Sequence, residues 1–167
     1  MHARRKALAV SVFLLIPPAV FHSRAVAADD CAPVVKAEMA TLSAPGFRQY
    51  MSGAGGGERL LSIALGDAVY LAIGGPGGWQ KMDRKEIVAT AKEAADDAAF
   101  RDCRPLGSEP VHGVSAAVYQ FTMESRSQSF PASHGKVWID AGGLLRKQST
   151  DGANVRYEYD NVKAPIP

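Results

Sequence analysis

The stretch Arg59-Leu-Leu-Ser-Ile-Ala-Leu-Gly-Asp-Ala-Val-Tyr-Leu-Ala-Ile73 decides how the rest of the chain is read. Its first half alternates, with Leu61, Ile63 and Leu65 on one side. Its second half alternates again, with Val69, Leu71 and Ile73 on one side. Period-two patterning sends successive side chains to opposite faces, so each half reads as a strand. Gly66-Asp67 between them is a turn pair, and a two-residue turn between alternating runs makes a β-hairpin.

Working toward the N-terminus, Gly53 to Gly57 is a glycine-rich connection and Phe47 to Ser52 a further strand. Cys31 to Leu42 reads as a short helix, with Pro33 in its first turn, where a missing N–H costs little. Cys31, Val35, Met39 and Leu42 recur at helical spacing and predict the buried face. Ser43 to Gly46 ends it.

Toward the C-terminus, Gly74 to Gly78 is a second glycine-rich connection and Trp79 to Met82 a short strand. Asp83 to Ala99 is the clearest helix: Asp83 is its N-cap and Glu86, three residues on, completes a pattern like a capping box. Its apolar stripe is Ile87 with alanines 91, 94, 95 and 98, which bury little area. Strands then run at Pro105 to Glu109, Val114 to Met123, Lys136 to Asp140, Leu144 to Ser149 and Val155 to Asp160. A polar loop spans Glu124 to Ser133. Consecutive strands joined by tight turns form a meander, and two helices inserted early make an α+β domain. Several strands are apolar on both sides, as in Leu60 with Leu61 or Trp138 with Ile139. Two helices cannot cover both faces of seven or more strands. A strongly curved sheet around an apolar hollow uses such strands, and apolar hollows are the default ligand sites.

No catalytic or metal motif emerges. Beyond residue 27 there are two histidines, His112 and His134, and neither has Cys, His or acidic partners at zinc-ligand spacing. Ser108 and His112 are close in sequence, but no nucleophile-elbow signature surrounds them. Asp96 and Asp97 fall on a solvated helix face. The glycine-rich stretches lack the Lys-Ser/Thr ending and following helix of a phosphate loop.

The first 27 residues read as an address. Arg4, Arg5 and Lys6 form a basic start, and Ala7 to Val20 is an apolar run interrupted by Pro17-Pro18. Ala25-Val26-Ala27 is a small-residue cleavage triplet. The run is about 14 residues, short of the roughly 20 a spanning helix needs. Cleavage after Ala27 or Ala28 fits equally well. Asp29 and Asp30 argue against lipidation of Cys31. Removing Arg4, Arg5, Lys6 and Arg24 takes Lys plus Arg from 19 to 15 against 17 acids, a net charge of −2. The basic balance therefore belongs to the address, and nucleic-acid binding, which needs a clustered basic face, is not indicated. Cys31 and Cys103 in an exported chain are most simply one disulfide, worth roughly 4 kcal/mol on the chain-entropy account. Two buried free thiols are the alternative.

Three pieces of the chain resemble the LolA-like superfamily of periplasmic lipoprotein carriers and lipid-binding relatives. They are Ile63 to Tyr70 running on to Gly78-Trp-Gln-Lys81, Leu106 to Gly113 followed by Ala117-Val-Tyr119, and Val137-Trp-Ile-Asp140 through Gly143-Leu144 to Tyr157-Lys163. The resemblance implies a half-open antiparallel barrel with helices on its concave side, spanning residues 28–167 as one domain. It implies no catalysis and no cofactor. The concave lining expected for an acyl chain is Ile63, Leu65, Val69, Leu71, Trp79, Tyr119, Phe121, Trp138, Tyr157 and Tyr159. The expected function is a soluble periplasmic binding protein for a lipid or other apolar ligand, without a membrane anchor once processed. The alternative is an envelope interaction protein whose barrel is filled by its own side chains and whose partner is another envelope protein.

Overall fold

The computed structural model describes residues 31–53, 57–73, 78–127 and 131–165, leaving aside the side chains of residues 95–97. The segment read as a signal, residues 1–27, lies outside the described residues. The elements in chain order are α1 (Ala32–Ser43), β1 (Gly46–Gly53), β2 (Arg59–Leu65), β3 (Ala68–Ala72), β4 (Trp79–Asp83), α2 (Arg84–Asp97), β5 (Ala98–Val111), β6 (Val114–Ser125), β7 (Ser133–Asp140), β8 (Leu145–Thr150) and β9 (Ala153–Glu158).

The strands form one nine-stranded antiparallel sheet in the order β4-β3-β2-β1-β9-β8-β7-β6-β5. It is two meanders, β1 to β4 and β5 to β9, joined where β1 pairs with β9, from Arg48 opposite Glu158 to Gly53 opposite Ala153. The edge strands β4 and β5 are consecutive in sequence, with only α2 between them. Laid flat, nine strands would put those edges roughly 38 Å apart. A 14-residue helix is about 21 Å long. Because alternation makes the first and ninth strands run the same way, part of that length is used returning along the strands. The sheet must therefore curl, and α2 takes the chord across the concave side. The result is a curved open sheet with two helices, as the strands apolar on both sides predict.

Asp83 caps α2 by accepting from the Lys85 N–H at 2.7 Å, and Glu86 sits in the first turn. The helix ends at Asp97, two residues before the sequence pattern suggests. Ala98 and Ala99 already pair with Ser125 and Glu124 as the start of β5. That strand is far longer than Pro105 to Glu109, and register shifts between Arg101 and Arg104 and between Pro105 and Gly107 interrupt its alternation. Such bulges bend a strand and re-aim its side chains. Asp102 takes a left-handed φ of 52° in the first, immediately before Cys103. The polar loop is also shorter than the sequence suggests, since β6 runs to Ser125 and β7 begins at Ser133.

Helix α1 packs on the same face. Its buried residues are Val34, Ala37 and Thr41, and Val34 and Ala37 join Phe121, Val137, Ile139 and Leu145 in the larger core cluster. Of the predicted face of Cys31, Val35, Met39 and Leu42, Cys31 packs on this cluster and Met39 and Leu42 are half-buried, but Val35 is corrected: it is 42% exposed. Two fastenings decide the rotation. Cys31 is bonded to Cys103, with Cα atoms 5.0 Å apart. At the other end, Thr41 Oγ1 accepts from the Leu145 N–H at 3.0 Å and donates to the Tyr159 hydroxyl at 3.2 Å. That hydroxyl in turn donates to the Leu145 carbonyl at 2.7 Å. A threonine facing the core is tolerated because its hydroxyl is fully satisfied.

Replacing Cys31 and Cys103 together with alanine should lower stability by roughly 4 kcal/mol in equilibrium urea unfolding. A loss below about 1 kcal/mol would mean that packing alone holds α1. Gly135 offers a second check, because a Cβ there would lie 2.5 Å from the Phe121 ring and 2.6 Å from the Ser149 carbonyl. Gly135→Ala should cost about 1–3 kcal/mol, the range for overpacking a filled core, in the same measurement.

Candidate functional site

Between the helices and the concave face lies a partly open space of about 130 Å³. Its floor comes from adjacent strands: Phe47 of β1 opposite Ala64 of β2, and Val69 and Leu71 of β3. Ile87 and Val88 of α2 close it from above, with Leu42 of α1 to one side. Phe47 meets Tyr157 and Tyr159 edge-on, with ring centroids 5.9 and 6.4 Å apart. These aromatics separate the space from the larger core cluster.

One side of the cavity is polar. Ser62 Oγ donates to Gln49 Oε1 at 2.8 Å, and Gln49 Nε2 donates to the Tyr157 hydroxyl at 3.4 Å. Glu38 of α1 reaches the same wall. Burial pushes its carboxyl up to about 7, because an apolar setting penalises the ionised form. Burial also drives the Tyr157 hydroxyl above the usual phenol range, with the Glu38 charge adding to the effect. Tyr159 is pushed up to about 12, again mainly by burial. The arrangement offers an apolar floor and a neutral-or-ionised acid at one end. It can hold a hydrocarbon segment beside a hydrogen-bonding group.

The roof is fastened by side-chain hydrogen bonds at its N-terminal end. Arg84, the first residue of α2, donates to the carbonyls of Leu42 at 2.9 Å, Gly66 at 3.1 Å and Pro45 at 3.3 Å, and also to that of Ala44. Two of these carbonyls close the α1 C-terminus, where a cation also meets the negative end of the helix dipole. Beyond Arg84 the hold is light. Ile87, Val88 and Ala91 are half-buried, and none of the described α2 side chains is fully buried.

The residues expected to line a hollow divide between two faces. Val69, Leu71, Tyr119, Phe121, Tyr157 and Tyr159 are on the helix-covered face. Val69, Leu71 and Tyr157 border the cavity, while Tyr119 and Phe121 belong to the larger core. Ile63, Leu65, Trp79 and Trp138 lie on the opposite face. The reason is register. A two-residue turn pairs Leu65 with Ala68 and Ile63 with Tyr70, so the stripe of β2 containing Ile63 shares a face with Tyr70, not with Val69. Trp138 is buried there with Ala116 and Val118. Glu38, Gln49 and Arg84 were not anticipated. A helical stripe of Val34, Glu38 and Thr41 was available at spacing as regular as the one chosen, and it carries both the acid and the capping threonine.

No family model and no curated protein sequence matches this chain. Among solved structures, it is similar to lipoprotein LppX of Mycobacterium tuberculosis. That match has 12% identity and a TM-score of 0.50, and it covers 81% of this chain and 96% of the other. The two chains share a fold. Among the described residues no helix is long and apolar enough to cross a membrane, and no group of three or more potential metal ligands converges. Ser108 lies on β5 opposite Ala117 and His112 at the following hairpin tip, with no hydrogen bond between them. Asp96 and Asp97 have side chains outside the described residues.

The raised Glu38 sets a pH dependence. The folded chain keeps this proton up to about pH 7, whereas an unfolded glutamate releases it near 4.5. Between those values the folded state binds more protons, so this contribution to stability falls as pH rises and levels off above about 7. The loss should amount to ~3 kcal/mol at most. Urea unfolding at pH 5 and pH 8 should show it in the native chain, and Glu38→Gln should flatten the difference.

Proposed function

We propose that this chain is an exported, non-enzymatic binding protein that holds an acyl chain or similar apolar ligand between its two helices and the concave sheet. The observation that carries the reading is an apolar cavity roofed by a helix that is pinned at its first residue and buries no described side chain completely. A space of about 130 Å³ is below the roughly 300–1,000 Å³ of ordinary ligand sites. Binding therefore requires the middle of α2 to lift from the sheet between its two fixed ends, Arg84 and Ala98. The alanine-rich underside of α2 limits the cost of that motion, because so little area is uncovered. The fold shared with a mycobacterial lipoprotein is compatible with this use. The Cys31–Cys103 bond fits an oxidising compartment, and residues 1–27 are read as the segment that directs export to the periplasm.

The modest cavity also favours a second reading, in which the interior is filled by its own side chains and the domain works through an envelope protein partner. Ligand uptake separates the two. A fluorescent fatty acid should bind saturably to the purified chain, and Val69→Phe, which fills the cavity, should weaken uptake at least tenfold while thermal unfolding stays cooperative. Absence of saturable uptake by the native chain, together with a ligand-free mass after isolation from envelope extracts, would leave only the second reading.

A further inference from the structure

A larger recess lies on the other face of the sheet. The end of the β5–β6 hairpin folds over β7, β8 and β9, burying Trp138 to 6% exposure and leaving a cleft of about 450 Å³. This is more than three times the volume of the interior space and within the range of ordinary ligand sites.

Two charged groups in the cleft are held by the same indole. Glu109 Oε2 accepts from Trp138 Nε1 at 2.8 Å, and the Lys147 ammonium sits 4.5 Å from the centroid of the Trp138 ring. Among the described residues, neither Glu109 nor Lys147 has a counter-charge: they form no ion pair with each other or with another charged side chain. The remaining charges in the cleft are already matched, since Arg156 grips Glu58 with two hydrogen bonds, 2.9 and 2.6 Å long. Uncommitted polar groups surround the gap. Ser52, Asn154 and His112 face it and make no hydrogen bond through their side chains among the described residues. His112 and Gly113, with φ of 48° and 82°, form the two-residue turn between Val111 and Val114 that brings the imidazole to the edge of the cleft.

We propose that this cleft binds a small zwitterion, an α-amino acid or short peptide. Its ammonium meets Glu109 and its carboxylate meets Lys147. The two protein charges are fixed in advance by Trp138, so their orientation costs little on binding. Recognition requires both charges on one molecule, because either charge alone leaves the opposite protein group unmatched. This site stands apart from the interior cavity and does not depend on what the cavity holds.

The test is a titration of the native chain with diglycine, followed by the indole N–H resonances of Trp138 and Trp79. Trp79 lies outside the cleft and serves as an internal control. Diglycine should shift the Trp138 signal saturably and leave Trp79 unmoved. Acetate and methylammonium should each bind at least tenfold more weakly. Glu109→Gln and Lys147→Met should each weaken diglycine binding at least tenfold. Both replacements keep the local packing, since Gln still accepts from the indole and Met still covers the ring, and unchanged Trp79 resonances would confirm the fold. The proposal is overturned by a Trp138 signal that does not saturate, by acetate or methylammonium binding as well as diglycine, or by undiminished binding in both variants.

Discussion

The shape of this domain depends on one connection. Helix α2 follows β4 and precedes β5 without a loop on either side, and those two strands are the opposite edges of a nine-stranded sheet. A covalent tether of about 21 Å between edges that would stand roughly 38 Å apart in a flat sheet leaves curling as the available solution. The curvature, the partly open space and the placement of α2 over that space are one geometric consequence. The edges do not pair with each other, so the barrel stays open and the helix occupies the gap.

The two helices are held by different chemistry, which divides their roles. Helix α1 is locked at both ends, covalently through Cys31 and Cys103 and by the closed hydrogen-bond circuit of Thr41, Tyr159 and Leu145. Helix α2 is held at its two ends, by Arg84 and by its direct continuation into β5 at Ala98, and lightly between them. Its alanine-rich face contributes little buried area per residue. One helix belongs to the wall, and the other spans the gap between the sheet edges with a lightly packed middle. The carboxyl of Glu38 sits on the fixed helix, so any molecule admitted beneath α2 meets an acid whose position is settled beforehand.

Most of the strands were legible because alternation is a local signal: β2 was bounded correctly from Arg59 to Leu65, and the others within a few residues apart from β5. That strand was obscured at both levels. Ala98 and Ala99 extend an alanine-rich helix in composition, and the two register shifts around Asp102 and Leu106 destroy the period that identifies a strand. The facing of α1 was misread because Val34 and Val35 are equally apolar, and the choice is made by partners more than sixty residues away. The two-residue turn at Gly66-Asp67 dictates that Ser62 and Ala64, not Ile63 and Leu65, share a face with Val69 and Leu71. The acid in the cavity left only a faint local trace, the equally regular stripe of Val34, Glu38 and Thr41. A glutamate on a helix reads as solvated until the sheet that buries it is known.

The pairing of β1 with β9 places strands from the two ends of the fold at the centre of the sheet, 108 residues apart at Gln49 and Tyr157. Each meander can form from neighbouring segments, but they cannot be joined until Glu158 is available. In a chain emerging from its N-terminus onward, whether from a ribosome or through a membrane pore, β1 therefore waits with an unsatisfied edge while more than one hundred residues follow it. Closing so distant a contact is slow, and during that interval the exposed edge is the part of the molecule most in need of a chaperone.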